Sequence, residues 1–345
     1  MAKAVALLSG GLDSMLAARL LQNQGIEVCG IHFVSVFNCG PKPGARLSAG
    51  KAAEALGIPL KVVNFTEEQI GIVRQPPHGY GRAANPCIDC HIAMLRQAGR
   101  YMQEIGADFV ATGEVAGQRP MSQRVFTLGL IEKEAGLEGR LLRPLSAKAL
   151  PPTEVEKSGL VDRDGLEDIT GRARHRQMAL AREFGLTKYP TPAGGCLLTD
   201  PEFGARVKDL VEHGQLTLND AHLLKVGRHY RLDGSTKVVV GRNERENSVI
   251  ETFAREGDLL FVVEGIPGPT ALLRGDATEI NIAAAAALCA RSSKAGRLPA
   301  AKVRVRMARS KDEGRVIEVA PAGDGTAAAL TLALQEVKRE SNIGA

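Results

Sequence analysis

Two groups of residues have the types and spacing to do chemistry. The first is Ser9-Gly10-Gly11-Leu12-Asp13-Ser14, which follows the apolar run 4–8 and precedes Met15, Leu16, Leu20 and Leu21 at helical spacing. A strand that ends in a glycine pair and turns straight into a helix makes a cradle for an anion. Gly10 and Gly11 let the backbone approach phosphate without a Cβ in the way. The helix aims its free N–H groups at the anion, and Ser9 and Ser14 add hydroxyl donors. A carboxylate such as Asp13 among phosphates needs a cation between them, which points to Mg²⁺. The loop has no GK[ST] and no GxGxxG, so it is neither a Walker nor a Rossmann loop. The bland alternative is a tight strand–helix turn.

The second group is cysteine. Cys87-Ile88-Asp89-Cys90 follows Asn85-Pro86 and precedes a helix, and Cys196 lies on the loop Thr191-Pro192-Ala193-Gly194-Gly195-Cys196. A CxxC pair at a helix N-terminus is expected to have lowered thiol pKa values, and thiolate is the form that binds metal or attacks sulfur. Three readings stay open. The three cysteines hold an iron–sulfur cluster with one iron left open; or one accepts a persulfide that another resolves as a disulfide; or they are buried thiols or a partial zinc site with His91 as fourth ligand. Cys29 and Cys289 sit in core-like strand and helix patterns, and Cys39 lies on a Gly/Pro loop.

The elements that must position these residues alternate. Strands are expected at 4–8, 27–33, 60–64 and 108–112, with helices at 14–24, 47–56 and 91–105. That order implies parallel βαβ units, an α/β domain with helices on both faces of a parallel sheet. Residues 138–168, with Pro144, Pro151 and Pro152, read as an irregular connection. Helices at 172–184 and 202–213 flank the Cys196 loop, and a boundary falls near 216–221. Beyond it, strands at 225–232 and 236–240 are joined by Asp233-Gly234, a hairpin signal. Residues 262–268 lead towards a helix at 276–291, and strands follow at 302–308 and 315–320. The expected domains are therefore 1–215 and a smaller α+β domain at 216–345.

Ser9 to Ser14 resembles the SGGxDS signature of the PP-loop ATP pyrophosphatases, an adenine nucleotide α-hydrolase-like fold. The resemblance implies cleavage of ATP to AMP and pyrophosphate, with Asp13 near the phosphates through Mg²⁺. It also implies adenine contacts on the next strand, around His32 and Phe33, although His32 reads equally as a core histidine. Thr112-Gly113-Glu114, then Gly117-Gln118 and Ser122-Gln123, resembles the TGE…GQ…SQ segment of the tRNA 4-thiouridine synthases, which adds Gly113 and Gln118 to the nucleotide site. Leu142-Arg143-Pro144-Leu145 is similar to the element that follows there. Asn85-Pro86-Cys87 through Cys90 resembles the cysteine loop of both 4-thiouridine synthases and tRNA 2-thiouridylases. The likeness covers most of residues 1–200. Family members with CxxC plus a distant cysteine carry an iron–sulfur cluster, which implies a 4Fe–4S cluster on Cys87, Cys90 and Cys196. The 4-thiouridine synthases have ferredoxin-like and THUMP domains before the PP-loop, and this sequence shows none, so another part must grip tRNA.

Val239-Val240-Gly241-Arg242-Asn243 with Glu246-Asn247 resembles the signature of the NFACT-type RNA-binding domain. Arg242 and Asn243 are placed to bind phosphate or ribose; equally, Asn243 can cap the next helix. Lys302, Arg304 and Arg306 alternate on one strand and can track a phosphate backbone, or face solvent. From 222 to 311 there are 16 Lys and Arg against 9 Asp and Glu, net +7 in a chain of net +5, so the rest carries −2. That basic region suits a polyanion. Aromatics make up only 4% and there is no Trp, which argues against extensive base stacking.

No apolar run approaches a membrane span of about 20 residues, and the start lacks a secretory pattern, so a cytoplasmic protein is expected. The reading is an ATP-dependent tRNA sulfurtransferase that adenylates a uridine carbonyl, O4 for preference, and displaces AMP with sulfur from sulfide or a cysteine-desulfurase persulfide. Its cofactors are ATP, Mg²⁺ and the cluster, and Asp13, Cys87, Cys90 and Cys196 do the chemistry. The alternatives are a 2-thiouridylase at the wobble uridine, thiolation of a small molecule, a lysidine-type ligase, and a non-catalytic nucleotide-sensing RNA binder. The last two do not need the cysteines.

Overall fold

The computed structural model describes residues 1–38, 48–186, 189 and 195–332. It divides into two compact units, Met1–Leu197 and Leu198–Ala345.

The first unit runs β1 (Lys3–Leu7), α1 (Leu12–Asn23), β2 (Glu27–Val34), α2 (Ser48–Leu56), β3 (Leu60–Asn64), α3 (Thr66–Arg74), α4 (Cys87–Glu104), β4 (Phe109–Ala111), α5 (Val125–Glu134), β5 (Leu141–Leu142), α6 (Glu154–Lys157) and α7 (His175–Glu183). The five strands form a sheet in the order β3-β2-β1-β4-β5, and every pairing is parallel. β1 is buried on both faces, as a central parallel strand must be. Ala4 and Ala6 join one core with α1 and α7, and Val5 joins a second with α4 and β4. The chain leaves β1 towards β2 on one side and returns to β4 on the other. The crevice beyond the carboxyl ends of β1 and β4 is therefore a topological switch point, where open α/β sheets bind ligands.

The cysteine helix begins earlier than expected, at Cys87 rather than His91. Pro86 stands at its N-cap, where a missing N–H costs nothing, so the CxxC lies inside the first turn rather than before it. Residues 138–168 contain β5, two 3₁₀ turns and the short α6, which Thr153 and Glu156 close with a capping box.

The second unit contains α8 (Pro201–Glu212), α9 (Leu218–Leu223), β6 (Arg228–Arg231), β7 (Lys237–Val240), α10 (Glu244–Phe253), β8 (Leu259–Val263), β9 (Ala271–Arg274), α11 (Glu279–Arg291), β10 (Ala301–Met307), β11 (Arg315–Val319) and α12 (Asp324–Leu330). Its sheet has the order β11-β10-β8-β9-β7-β6 and is antiparallel throughout. The long α11 packs one face, and Leu223 and Ile250 of α9 and α10 pack the other. Asp233 shapes the β6–β7 hairpin by accepting the N–H groups of Ser235 and Thr236 at 2.8 and 2.7 Å. The division after Leu197 differs from the boundary expected near 216. The reason is α8, whose buried Asp209 accepts Arg231 Nε at 2.9 Å and lies 3.6 Å from Lys237 Nζ, both on the second sheet. No helix among the described residues is long and apolar enough to cross a membrane.

Candidate functional site

The loop after β1 is built for close approach. Gly10 has φ +82°, and a Cβ there would meet Ser48 C at 2.4 Å and Ala49 N at 2.5 Å. Glycine thus serves both the left-handed conformation and the start of α2 pressed against the loop. Gly11 caps α1 without a side chain, which leaves the helix N-terminus open. The hydroxyls are folded onto the loop itself. Ser14 Oγ donates to Gly11 O at 2.8 Å, Ser9 Oγ accepts Gly11 N–H at 3.2 Å, and the two hydroxyls are 3.2 Å apart.

The segment after β4 closes on this loop. A Cβ on Gly113 would lie 2.5 Å from Ser14 N and 2.6 Å from Asp13 C. Gln118 Nε2 donates to Asp13 Oδ2 at 3.3 Å, and Arg174, at the N-cap of α7, places a guanidinium nitrogen 3.7 Å from Asp13 Oδ1. Asp13 Oδ1 and Arg174 Nε are both buried without a hydrogen-bond partner among the described residues. An orphaned carboxylate oxygen at a helix N-terminus would suit a divalent cation, with Asp13 as its ligand. Arg174 was not singled out from the sequence; the only signal was its place in the basic run 172–176.

His32 and Phe33 take structural places. His32 Nδ1 lies 2.8 Å from Leu8 O, and burial, against the pull of that carbonyl, lowers its pKa. Phe33 is packed in the core edge-to-face with Phe65. The Phe33 ring, 8% exposed, is therefore committed to the core.

The three cysteines come into one neighbourhood. Cys87 opens α4, half-buried, and its sulfur accepts from Asn85 Nδ2 at 3.2 Å. Cys196 pairs its backbone with Asn38 beyond the end of β2, and Leu197 N–H donates to Phe37 O at 2.8 Å. Cys90 is 7% exposed, and its sulfur accepts from Gln69 Nε2 at 3.6 Å. Burial pushes the Cys90 thiol far up, the Gln69 amide opposes this, and the charges of Cys196 and Cys87 push it further up. The lowered thiol pKa expected from the helix N-terminus is therefore overturned at Cys90: desolvation in the core outweighs the helix end. Among the described residues, no three His, Cys, Asp or Glu side chains are placed to hold a metal ion. The cluster expected on Cys87, Cys90 and Cys196 is therefore not shown by these residues as placed. Cys29 and Cys289 are buried, as expected. Cys39 lies outside the described residues.

A buried charge network joins the cysteine helix to the nucleotide loop. His91 Nδ1 lies 2.7 Å from Glu114 Oε1. Glu114 Oε2 accepts Thr112 Oγ1 at 3.1 Å and Arg143 Nε at 3.2 Å, and Arg143 also reaches Glu132 at 2.8 Å. Burial opposes ionisation of Glu114, but the His91 hydrogen bond, then the His91 and Arg143 charges and Thr112, win and hold its pKa at about 2. His91 is thus engaged by a carboxylate rather than placed as a fourth metal ligand.

In the second unit, Arg242 is clamped on Glu246, with Nε 3.0 Å from both carboxylate oxygens. Asn243 caps α10 by accepting Glu246 N–H at 3.0 Å, the structural role that its type allowed. Lys302, Arg304 and Arg306 share the outer face of β10, opposite buried Val303 and Val305. Arg304 is paired with Glu264 at 2.5 Å. Neither Lys302 nor Arg306 forms an ion pair among the described residues.

Residues 2–130 match the tRNA methyl transferase HUP domain family, and residues 227–329 match the NFACT protein RNA binding domain family. The chain is 29% identical over 209 residues to a tRNA-specific 2-thiouridylase MnmA of Dichelobacter nodosus, covering 57% of this chain and 52% of that one. It is 26% identical over 290 residues to that of Renibacterium salmoninarum, covering 79% and 72%. The chain thus spans about half the length of the first of these curated relatives. A solved 4-thiouridine synthetase–RNA complex with bound ATP is similar at 24% identity and TM-score 0.34, covering 54% of this chain and 52% of that one. Residues 2–130 thus match a HUP domain and residues 227–329 an RNA-binding domain of NFACT type, and the loop after β1 and the parallel sheet are similar to those of the PP-loop tRNA thiolases.

Proposed function

We propose that this chain is an ATP-dependent tRNA thiolase that makes 2-thiouridine. The observation that carries the reading is Asp13. One of its oxygens is held by Gln118 and the other is buried beside Arg174 with no hydrogen-bond partner, at the mouth of a parallel sheet whose next loops bring in the cysteines. The sequence alone favoured O4 of uridine. The relatives are named tRNA-specific 2-thiouridylases, and that moves the proposal to O2, with the wobble uridine as the position to test first.

In this mechanism the uridine O2 attacks the α-phosphorus of ATP, the N3 proton leaves to solvent, and the bond to pyrophosphate breaks. The N–H groups at the start of α1 and the Arg174 guanidinium take up the charge on the departing pyrophosphate. Asp13 would hold Mg²⁺, which when bound would supply further neutralisation. A carbonyl oxygen is a poor leaving group and AMP is a good one. The terminal sulfur of a cysteine persulfide then attacks C2 and AMP departs. The thiolate of a second cysteine attacks the cysteine sulfur that still bears the substrate. The S–S bond to the base breaks, a protein disulfide forms, and the thiocarbonyl is left on the base as N3 recovers a proton. Cys87 and Cys196, both half-buried, suit these two roles. Cys90 is buried with its proton retained and suits neither. A persulfide donor must load the first cysteine, and an external thiol must reduce the disulfide afterwards. No step runs through a cluster. The second unit, basic and matched to an RNA-binding family, is assigned the grip on tRNA.

The test is nucleoside analysis of unmodified tRNA incubated with the protein, ATP, Mg²⁺ and a persulfide donor. 2-Thiouridine with AMP and pyrophosphate is expected. 4-Thiouridine would return the reading to O4, and release of ADP and phosphate would reject the chemistry.

A further inference from the structure

The segment after β4, whose Gln118 reaches Asp13, runs on to a feature that the mechanism does not use. Phe126, at the start of α5, is 83% exposed, and Val125 beside it is 57% exposed. Among the described residues no other phenylalanine stands out so far. Burying such a ring would gain roughly 1.5–3 kcal/mol, and the fold leaves it in water. The position is also fixed. Gly117 N–H donates to Gln123 O at 2.6 Å, Gln123 N–H to Arg119 O at 3.2 Å and Leu128 N–H to Arg124 O at 2.8 Å. Ser122 and Gln123, which precede it in the chain, are buried. The residue that opens this loop, Gln118, is the one that touches Asp13.

The two segments that form this surface carry exposed arginines. Arg119, Arg124 and Arg172 are exposed, and no side-chain hydrogen bond or ion pair holds any of them among the described residues. Arg172 belongs to the same surface, because Ala116 bridges Thr170 in parallel and Gly171 N–H donates to Ala116 O at 2.8 Å. Neither 115–131 nor 169–182 contains an Asp or Glu. Unpaired arginines around an exposed ring suit a ligand that is anionic along its length and presents flat apolar faces. That describes single-stranded nucleic acid better than an acidic peptide. A uridine that reaches Asp13 must be splayed out of its stack, which leaves its neighbour unstacked.

We propose that Arg119, Arg124, Phe126 and Arg172 form the landing surface for the single-stranded RNA around the target uridine, with Phe126 stacking on a neighbouring base and the arginines on its phosphates. The proposal rests on the tRNA thiolase reading and adds the surface that presents the substrate. One ring gives one stacking position, in keeping with an aromatic content of 4%.

The experiment uses the full chain and an unmodified tRNA transcript. Affinity is measured across a salt series for the wild type, Phe126→Ala, Phe126→Trp and the pair Arg119→Glu with Arg124→Glu, with Mg·ATP affinity measured in parallel. Phe126→Ala should weaken tRNA binding by about 5- to 100-fold, the span of one base–aromatic stack. Its salt slope and ATP affinity should not change, and Phe126→Trp should restore binding. The arginine pair should flatten the salt slope by about one for each lost phosphate contact. If the wild type binds tRNA and Phe126→Ala binds it equally well, the surface is wrong and the functional reading stands. A loss that Phe126→Trp fails to restore also overturns the stacking role. If the wild type binds no tRNA, both readings fall.

Discussion

His91 Nδ1 and Glu114 Oε1 lie 2.7 Å apart, and this contact ties the helix that carries Cys87 and Cys90 to the segment that presses on the nucleotide loop. The coupling is rigid because Glu114 is also held by Thr112 and Arg143, and Gly113, its neighbour, has no room for a Cβ against Asp13 and Ser14. Adenylation and sulfur transfer must happen on the same base, so a fixed spacing between loop and cysteines is a requirement of the chemistry.

Glu114→Gln tests that frame. Arg143 would keep Glu132 but lose one buried carboxylate, and losing a hydrogen bond to a charged group costs about 1.5–3 kcal/mol. The Glu114 pKa is held below its unfolded value, so its stabilisation is fully present above about pH 4.3 and is lost as pH falls towards about 2. Urea unfolding from pH 7 down to pH 3 should show a steeper loss for the wild type than for Glu114→Gln. Equal slopes would mean that the carboxylate is not held ionised.

His78 gives a second pH test of opposite sign. Its Nδ1 lies 2.7 Å from Asp89 and its Nε2 3.1 Å from Glu134. The Asp89 hydrogen bond, against partial burial, raises its pKa above 6.5. Its contribution is therefore fully present below about pH 6.5 and fades as pH rises through the raised value. The gap in Tm between wild type and His78→Gln should be wide near pH 6 and narrow near pH 9. A gap that does not change with pH would show that the imidazolium is not what Asp89 and Glu134 stabilise.

Gly10→Ala and Gly113→Ala address the loop by sterics alone. Each new methyl would lie within 2.6 Å of backbone atoms, so the backbone must move, at a cost of about 1–3 kcal/mol. Both variants should fold with a lower Tm and lose tRNA-dependent release of AMP. Gly50→Ala, where a Cβ meets nothing within 4 Å, is the control and should behave as wild type.

The nucleotide loop was legible because its chemistry is local: strand, glycine pair, carboxylate and helix are contiguous. The parallel sheet was legible for the same reason, since 4–8 and 27–33 are apolar runs that match β1 and β2. Helices α3 and α5 escaped notice. α5 starts with Val125 and Phe126 exposed and so lacks a clean amphipathic pattern. β9 is four residues long after Pro269 and has no pattern of its own; it is a strand because β7 and β8 flank it. The residues that complete the site could not be read in advance. Arg174, Gln69 and the His91–Glu114 contact come from segments far apart in sequence, and only the fold brings them to Asp13 and Cys90. Burial reversed the expected acidity of Cys90, because helix position is visible in a sequence and desolvation is not.

Asp13 and Arg174 separate cation binding from phosphate binding. Asp13→Asn keeps the shape and the Gln118 contact but removes the charge that a cation needs, so AMP release should fall by at least 100-fold and added Mg²⁺ should not restore it. Arg174→Ala should reduce the rate by about 10²–10³, the scale for one lost group that stabilises transition-state charge, while Mg²⁺ dependence stays near wild type. Equal responses of the two variants to Mg²⁺ would remove the distinction drawn between them.

The cysteines decide how sulfur arrives. Cys87 and Cys196 are half-buried, and Cys90 is a core thiol that keeps its proton. On the persulfide route, Cys87→Ala and Cys196→Ala should each abolish thiolation but leave pyrophosphate release from the first adenylation measurable, because adenylation does not need them. Cys90→Ala should retain thiolation and lose stability, since a buried side chain is shortened against Gln69. Peptide mapping during turnover without reductant should find Cys87 joined to Cys196. Protein purified without oxygen should be colourless and active. A brown protein with stoichiometric iron and acid-labile sulfide, lost equally in all three variants, would show that the three sulfurs act as one ligand set and would overturn this division of roles.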